Sequence, residues 1–215
     1  MNLTLLGLPG AGKGTQARKI SQDYNIPHIA TGDIFRILIE RGTPLGKRAE
    51  EYINLGKLVP DEDAIKIVKD EFSRIDMDKG FVLDGFPRTL YQAQVLTQIL
   101  DGMNTALDMA FYIQVDPDEL VGRVAGRRVC LKCGATYHIK YNPPKEEGTC
   151  DICRDELIQR NDDKPDTVRK RIRIHKREVD ELVLYYKDLG ILREVTGESI
   201  EEIYSNIKAV IEVEL

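Results

Sequence analysis

Apolar positions along this chain fall into two alternating rhythms. Short continuous runs at 3–6, 81–83 and 109–115 read as buried strands, with shorter candidates at 27–29 and 191–195. Between them the period lengthens to that of a helix, at 16–24, 34–41, 45–54, 61–73, 90–100, 118–125, 166–187 and 200–213. In the longest of these, Val168, Ile172, Val179, Leu182, Val183 and Tyr186 share one face. Gly42, Pro44, Gly56 and Pro60 punctuate the early helices, and Asp116 with Pro117 marks a helix start. Strands alternating with helices predict an α/β fold, a doubly wound parallel five-stranded sheet with helices on both faces.

Two stretches break the alternation. Residues 30–59 carry helices with no strand between them, and Thr31-Gly32-Asp33 reads as the turn that closes the strand before. Residues 127–163 show neither helical periodicity nor a long apolar run, apart from a small β candidate at 136–139. Ligands of doubly wound folds lie beyond the carboxyl ends of the strands, so insertions leaving from there would stand over the site. The expected division is a core of 1–29, 60–126 and 164–215, with one lobe at 30–59 and another at 127–163.

Composition narrows the class. With 215 residues, 42% of them hydrophobic and 31% charged, the chain reads as one globular core with insertions. A net charge of −5 argues against a broad nucleic-acid surface. No apolar run approaches the roughly 20 residues that span a bilayer, and no basic leader opens the chain. A cytoplasmic, reducing location is expected, with no membrane partner, and nothing demands more than a monomer. The four cysteines are then not expected to form disulfides.

The first strand runs directly into Gly7-Leu8-Pro9-Gly10-Ala11-Gly12-Lys13-Gly14-Thr15 and a helix follows. Strand, glycine loop and helix start form the context in which backbone N–H groups wrap a polyphosphate, with Lys13 adding charge. The loop fits the phosphate-loop pattern except that Gly14 stands where Ser or Thr is usual, with Thr15 one step later.

Cys130-Leu131-Lys132-Cys133 and Cys150-Asp151-Ile152-Cys153 are two CxxC pairs at the spacing of a four-cysteine zinc site. Four sulfurs leave no position for a catalytic water, so such a site is structural. His138, between the pairs, is expected at the surface rather than on the ion. Two alternatives remain: a dithiol redox site, which would need only one pair, and unliganded cysteines in a mobile loop, which would be prone to oxidation.

Charged residues gather around the same features. Asp84 ends the strand at 81–83, where a carboxylate near a phosphate loop suits Mg²⁺ and its waters. Arg88 follows at once. Arg123, Arg127 and Arg128 flank one end of the cysteine segment, and Arg160, Arg169, Arg171 and Arg173 the other. Guanidinium groups grip phosphate oxygens in pairs, and arginines carried by a lobe would do so only on closure.

Taken together, GLPGAGKGT at 7–15, Thr31-Gly32-Asp33 with Arg36, LDGFPRT at 83–89 with Gln92, GRR at 126–128, and RNDD at 160–163 with VRKR at 168–171 resemble adenylate kinase. The resemblance covers essentially the whole chain and includes the K-G-T departure in the loop. The cysteine-bearing lobe looks like the long, zinc-binding lid of Gram-positive and related bacteria.

The resemblance implies a P-loop core with a helical AMP-binding insertion and a zinc-stabilised lid. Gly10, Ala11, Gly12, Lys13, Gly14 and Thr15 would hold the ATP phosphates, with Arg123, Arg127, Thr136 and Tyr137 also at ATP. Backbone near Ser199 would meet its adenine, although Gly197-Glu198-Ser199-Ile200 looks one residue short of related sequences. Thr31, Arg36, Lys57, Leu58, Val59, Gly85, Phe86, Pro87, Arg88 and Gln92 would hold AMP, and Arg160 and Arg171 would close over it. The catalytic set would be Lys13, Arg88, Arg123, Arg160 and Arg171. The implied reaction is phosphoryl transfer from MgATP to AMP, giving two ADP. Two other readings stay open: a kinase for a different nucleoside monophosphate, and a nucleic-acid-binding ATPase using the cysteine segment as a ribbon. His28, His138 and His175 share no motif with the loop.

Overall fold

The computed structural model describes residues 1–215, the side chain of Pro117 excepted. Strand β1 (Asn2–Leu6) leads through the glycine loop into helix α1 (Lys13–Tyr24). Strand β2 (His28–Ala30) passes directly into α2 (Thr31–Glu40), and α3 (Pro44–Asn54) and α4 (Asp61–Phe72) follow. Strand β3 (Phe81–Asp84), helix α5 (Leu90–Gly102) and strand β4 (Met109–Ile113) come next. Helix α6 (Pro117–Ala125) is capped by the Asp116 carboxylate, which accepts from the Asp118 N–H at 2.9 Å. It opens into three short strands, β5 (Arg127–Cys130), β6 (Thr136–His138) and β7 (Leu157–Ile158). Helix α7 (Pro165–Asp188), strand β8 (Leu192–Val195) and helix α8 (Ile200–Glu214) complete the chain.

Five strands form one sheet in the order β2-β3-β1-β4-β8, each neighbouring pair parallel. Every residue of β1 is buried, as a central strand covered on both faces requires. One face packs Leu3, Leu5, Phe111 and Ile113 against Ile20 of α1 and Ile207 of α8. The other packs Phe81 and Leu83 against Val68 and Phe72 of α4 and Leu96 of α5. Each fully buried Leu or Phe in these layers contributes about 1.5–3 kcal/mol. Among the described residues, no helix is long and apolar enough to cross a membrane.

The strand order puts the carboxyl ends of β1 and β3 side by side, with Leu5 paired to Asp84. The glycine loop and Asp84 therefore leave the sheet at the same edge.

Local differences from the sequence reading concentrate there. Helix α1 starts at Lys13, so the last three loop residues are already its first turn. Thr31-Gly32-Asp33 is not a turn but the start of α2. The Thr31 hydroxyl donates to Gly85 O at 2.9 Å, and the Asp33 carboxylate occupies the helix's electropositive first turn. The segment read as irregular apart from 136–139 holds a three-stranded antiparallel sheet, β6-β5-β7, in which the expected β element is β6 and the other two strands are additional.

Candidate active site

Gly12 caps α1 at φ 93°, a left-handed conformation that side chains resist. The N–H groups of Thr15 and Gln16 bond back to Gly12 O at 3.0 and 3.1 Å, leaving earlier N–H groups of the loop for an anion. Lys13 Nζ donates to Gly7 O at 2.7 Å and Leu8 O at 3.0 Å. Desolvation lowers its ammonium first, the Asp84 charge opposes this only in part, and Arg88, Arg171 and Arg127 add repulsion. The group falls from 10.5 to about 7.

Gly14 has a steric reason. A Cβ there would stand 2.9 Å from Asp84 Oδ2. The departure from the usual loop pattern thus makes room for the carboxylate at the end of β3. His28 Nε2 lies 3.7 Å from the same oxygen. Burial pushes the Asp84 carboxyl up, but His28, Lys13 and Arg88 outweigh it and the net shift is downward.

Guanidinium groups crowd the opening above. Arg88 donates through Nε to Gly85 O at 2.7 Å; burial and then Arg171 push it down to about 10. Arg36 donates to Gly32 O at 2.7 Å and reaches Asp162 Oδ2 at 3.3 Å. Arg160 donates to Asp33 Oδ1 at 2.8 Å, while its buried Nε has no partner among the described residues. Arg127 grips Asp163 through both Nε and a terminal nitrogen, the first at 2.8 Å. Arg171 lies 2.8 Å from Asp162 Oδ2 and 3.4 Å from Asp163 Oδ1. Arg123, on α6, pairs with Glu119 at 2.7 Å.

Two cavities result. The larger, about 550 Å³, is lined by Gly10, Gly12, Lys13, Gly14, Thr15, Asp84, Arg88, Arg123, Arg127, Thr136, Tyr137, Arg160, Arg171 and Ser199. Ala11 is buried beneath the loop and lines neither. The smaller, about 50 Å³, is lined by Thr31, Arg36, Lys57, Leu58, Val59, Gly85, Arg88, Gln92 and Arg171. Arg160 borders only the larger of the two, as does Pro87. Phe86 lines neither, being packed into the core. Gln92, 2% exposed, accepts from the Arg88 N–H and donates to Asp61, each at 2.7 Å. The Ser199 hydroxyl caps α8, accepting from the Glu202 N–H at 3.1 Å.

Several residues in this arrangement had no role in the sequence reading. Asp162 and Asp163, 4% and 0% exposed, hold Arg36, Arg127 and Arg171 in place. In the sequence they figured only as part of the RNDD motif at 160–163, with no role of their own. His28 and His175 line the larger cavity with no motif to announce them. His138 lies outside the cysteine cluster but also borders this cavity. Its Nδ1 accepts N–H bonds from Lys140 and Tyr141 at 2.9 and 3.1 Å.

The sulfurs of Cys130, Cys133, Cys150 and Cys153 lie within 4.8 Å of one another and could hold a metal ion. All four are free thiols. Gly134 and Arg154, each just past a CxxC pair, take positive φ and return an N–H to the first cysteine's carbonyl at 2.9 Å.

The family model described as adenylate kinase matches residues 5–191. An adenylate kinase from Clostridium botulinum strain Hall is 54% identical over 212 residues, 98% of each chain. One from Geobacillus sp. strain WCH70 is 51% identical over 209 residues, 97% of each. One from Acetivibrio thermocellus is 55% identical over 198 residues, 92% of this chain and 91% of the relative.

Proposed function

Because the chain belongs to the adenylate kinase family and transfers phosphoryl groups between ATP and AMP, we propose that its two cavities are the two nucleotide sites. The observation that carries this is that Arg88 and Arg171 line both cavities, so phosphates entering from either side meet at the same guanidinium groups. ATP takes the larger cavity. Its phosphates lie on Gly10–Thr15, with Lys13, Arg123 and Arg127 gripping them, and its base lies toward the Ser199 turn, with Thr136 and Tyr137 of the lid beside the nucleotide. AMP takes the smaller, against Thr31, Arg36, Lys57, Leu58, Val59, Gly85–Arg88 and Gln92, with Arg160 and Arg171 closing over its phosphate. Gln92 would exchange its present partners for an edge of adenine, which an amide can pair twice.

Transfer of the terminal phosphoryl group passes through a loose transition state with charge spread over its outer oxygens. The chain's task is therefore alignment and charge neutralisation rather than proton abstraction. A phosphate monoester with a second pKa near 6 is already mostly dianionic at neutral pH and needs no base. Holding donor and acceptor in line can remove about 7–11 kcal/mol of barrier. Lys13, Arg88, Arg123, Arg160 and Arg171 neutralise the migrating charge, while Asp162, Asp163 and Asp33 keep several guanidinium groups from folding away.

The lobes at 30–59 and 127–163 act as an AMP-binding insertion and a lid over the core of 1–29, 60–126 and 164–215. Arg160 on Asp33 and Arg36 on Asp162 tie the two lobes' ends together. Closure completes the arginine set only when water is excluded, which suppresses hydrolysis of ATP.

Two metals fit these residues. A tetrahedral zinc with Zn–S bonds of about 2.3 Å holds its sulfurs ~3.8 Å apart. The Cys130–Cys153 and Cys133–Cys150 pairs stand at 3.3 and 3.5 Å. In the metal-free cluster the four thiols share their protons: burial would raise Cys150 but N–H groups of Cys153 and Ile152 pull it down, while burial and the neighbouring sulfurs push Cys133 up, so the first thiolate settles on Cys150. This lid has too small a core to order itself, so zinc contributes folding free energy and no chemistry. Asp84, kept anionic beside the loop, suits Mg²⁺ held through water, and that ion would supply further neutralisation at the phosphates.

A panel of AMP, CMP, UMP and GMP as acceptors with MgATP tests the assignment. AMP is expected to give by far the highest kcat/KM. Equal use of CMP or UMP would overturn the placement of adenine against Gln92 and Thr31.

A further inference from the structure

His175 stands on α7 four residues beyond Arg171, on the same side of the helix. Its ring is 6% exposed and lines both cavities, yet its Nε2 has no hydrogen-bond partner among the described residues. A buried polar atom left unpaired is costly, and native structures keep few of them without a reason. The Gly56 backbone lies beside the ring, and a Cβ on Gly56 would stand 3.2 Å from Thr167 O on α7. The Lys57–Val59 wall of the smaller cavity thus follows directly from a turn packed on this helix.

The chemistry of the ring limits what can complete it. Burial first, then the charges of Arg88, Arg171 and Lys13, push His175 down to about 2, so it stays a neutral imidazole. Lys13, Arg88 and Arg171, the cations whose charges act on the ring, are already suited to phosphate oxygens. A neutral imidazole carries one donor and one acceptor, and a hydroxyl can answer either, whichever ring nitrogen holds the proton. The acceptor nucleotide brings such hydroxyls on its ribose.

We propose that His175 hydrogen-bonds a ribose hydroxyl of the acceptor monophosphate and thereby favours ribonucleotide over deoxyribonucleotide acceptors. This rests on the reading of the smaller cavity as the acceptor site.

The test uses the full chain with MgATP and three acceptors, AMP, 2′-deoxy-AMP and 3′-deoxy-AMP. Wild type is compared with His175→Phe, which keeps a ring without nitrogens, and His175→Gln, which keeps a donor and an acceptor. Wild type should prefer AMP over at least one deoxy analogue by about five- to tenfold in kcat/KM, the scale of one hydrogen bond. His175→Phe should erase that preference by raising the KM for AMP, with the KM for ATP unchanged and the melting temperature not lowered. His175→Gln should retain part of it, and it carries the test if the phenylalanine variant does not fold.

A wild type indifferent to both deoxy analogues, a His175→Phe enzyme that still discriminates as wild type does, or equal changes in both KM values would overturn the proposal. Gln92→Leu serves as the control for the underlying reading. If it raises the KM for AMP while His175→Phe is silent, only the role of His175 fails. If neither variant moves that KM, the acceptor site itself is misplaced.

Discussion

Replacing Gly14 with alanine sets two effects of opposite sign against each other. Gly14 is the second residue of α1 and has an ordinary helical backbone, so propensity alone makes alanine better by about 0.8–1.0 kcal/mol. Sterics oppose it. The new Cβ would stand 2.9 Å from Asp84 Oδ2 and 3.9 Å from Asp84 Cγ. Asp84 has little room to retreat, since its strand is paired to β1 and β2 and His28 lies 3.7 Å from the same oxygen. Overpacking of this kind costs about 1–3 kcal/mol, so the net expectation is a loss of roughly 1 kcal/mol. For a chain of this size that lowers Tm by about 2–4 °C. Thermal unfolding of Gly14→Ala, Asp84→Ala and the double variant closes the cycle. With Asp84 shortened the obstruction disappears, and Gly14→Ala should then raise Tm by a similar amount. Stabilisation of equal size in both backgrounds would refute the steric account of the loop.

Three further outcomes are expected. Lys13 titrates at about 7 in the folded free protein and near 10.5 when unfolded. Its cost to stability is therefore full below about 7 and vanishes as pH rises through 10.5. Polyphosphate binding should restore the ammonium, so calorimetric titration with ADP at about pH 8.5, in buffers of different ionisation enthalpy, should show proton uptake that Lys13→Met abolishes. No uptake in the wild type would contradict the depressed value. Gln92→Leu should raise the KM for AMP about tenfold, the loss of an amide pair, and leave that for ATP unchanged; an equal rise in both would remove Gln92 from the acceptor pocket. Chelation under reducing conditions should release one zinc and unprotect backbone amides across 127–163 while the β1 and β3 amides stay protected. A lid that stays protected without metal would contradict the structural role.

Much of this architecture was legible because it follows local rules. Continuous apolar runs gave β1, β3 and β4, helical periodicity gave α7, and Asp116 marked the start of α6. The start of α2 was not legible, because Thr31 is fixed by Gly85, 54 residues away. Of the lid strands only β6 was legible, at 136–139; β5 and β7 carry no periodic signal, since their short sheet packs around sulfurs rather than a conventional apolar face. At the candidate site, the loop glycines and the two CxxC pairs stood out by spacing, and the structure brings the loop and the arginines to one cavity and the four sulfurs to one cluster. Asp162 and Asp163 could not, because burial converts ordinary acids into anchors for Arg127 and Arg171 only once the fold has formed. His28 and His175 acquire their surroundings in the same way, from neighbours distant in sequence.

The most direct measurement is competition by a bivalent mimic, two adenosines joined through five phosphates, in steady-state assays with ATP and AMP varied in turn. Spanning both cavities across Arg88 and Arg171, it should compete with each nucleotide and bind more tightly than either. Competition with neither, or with one alone, would contradict a cleft that holds donor and acceptor together.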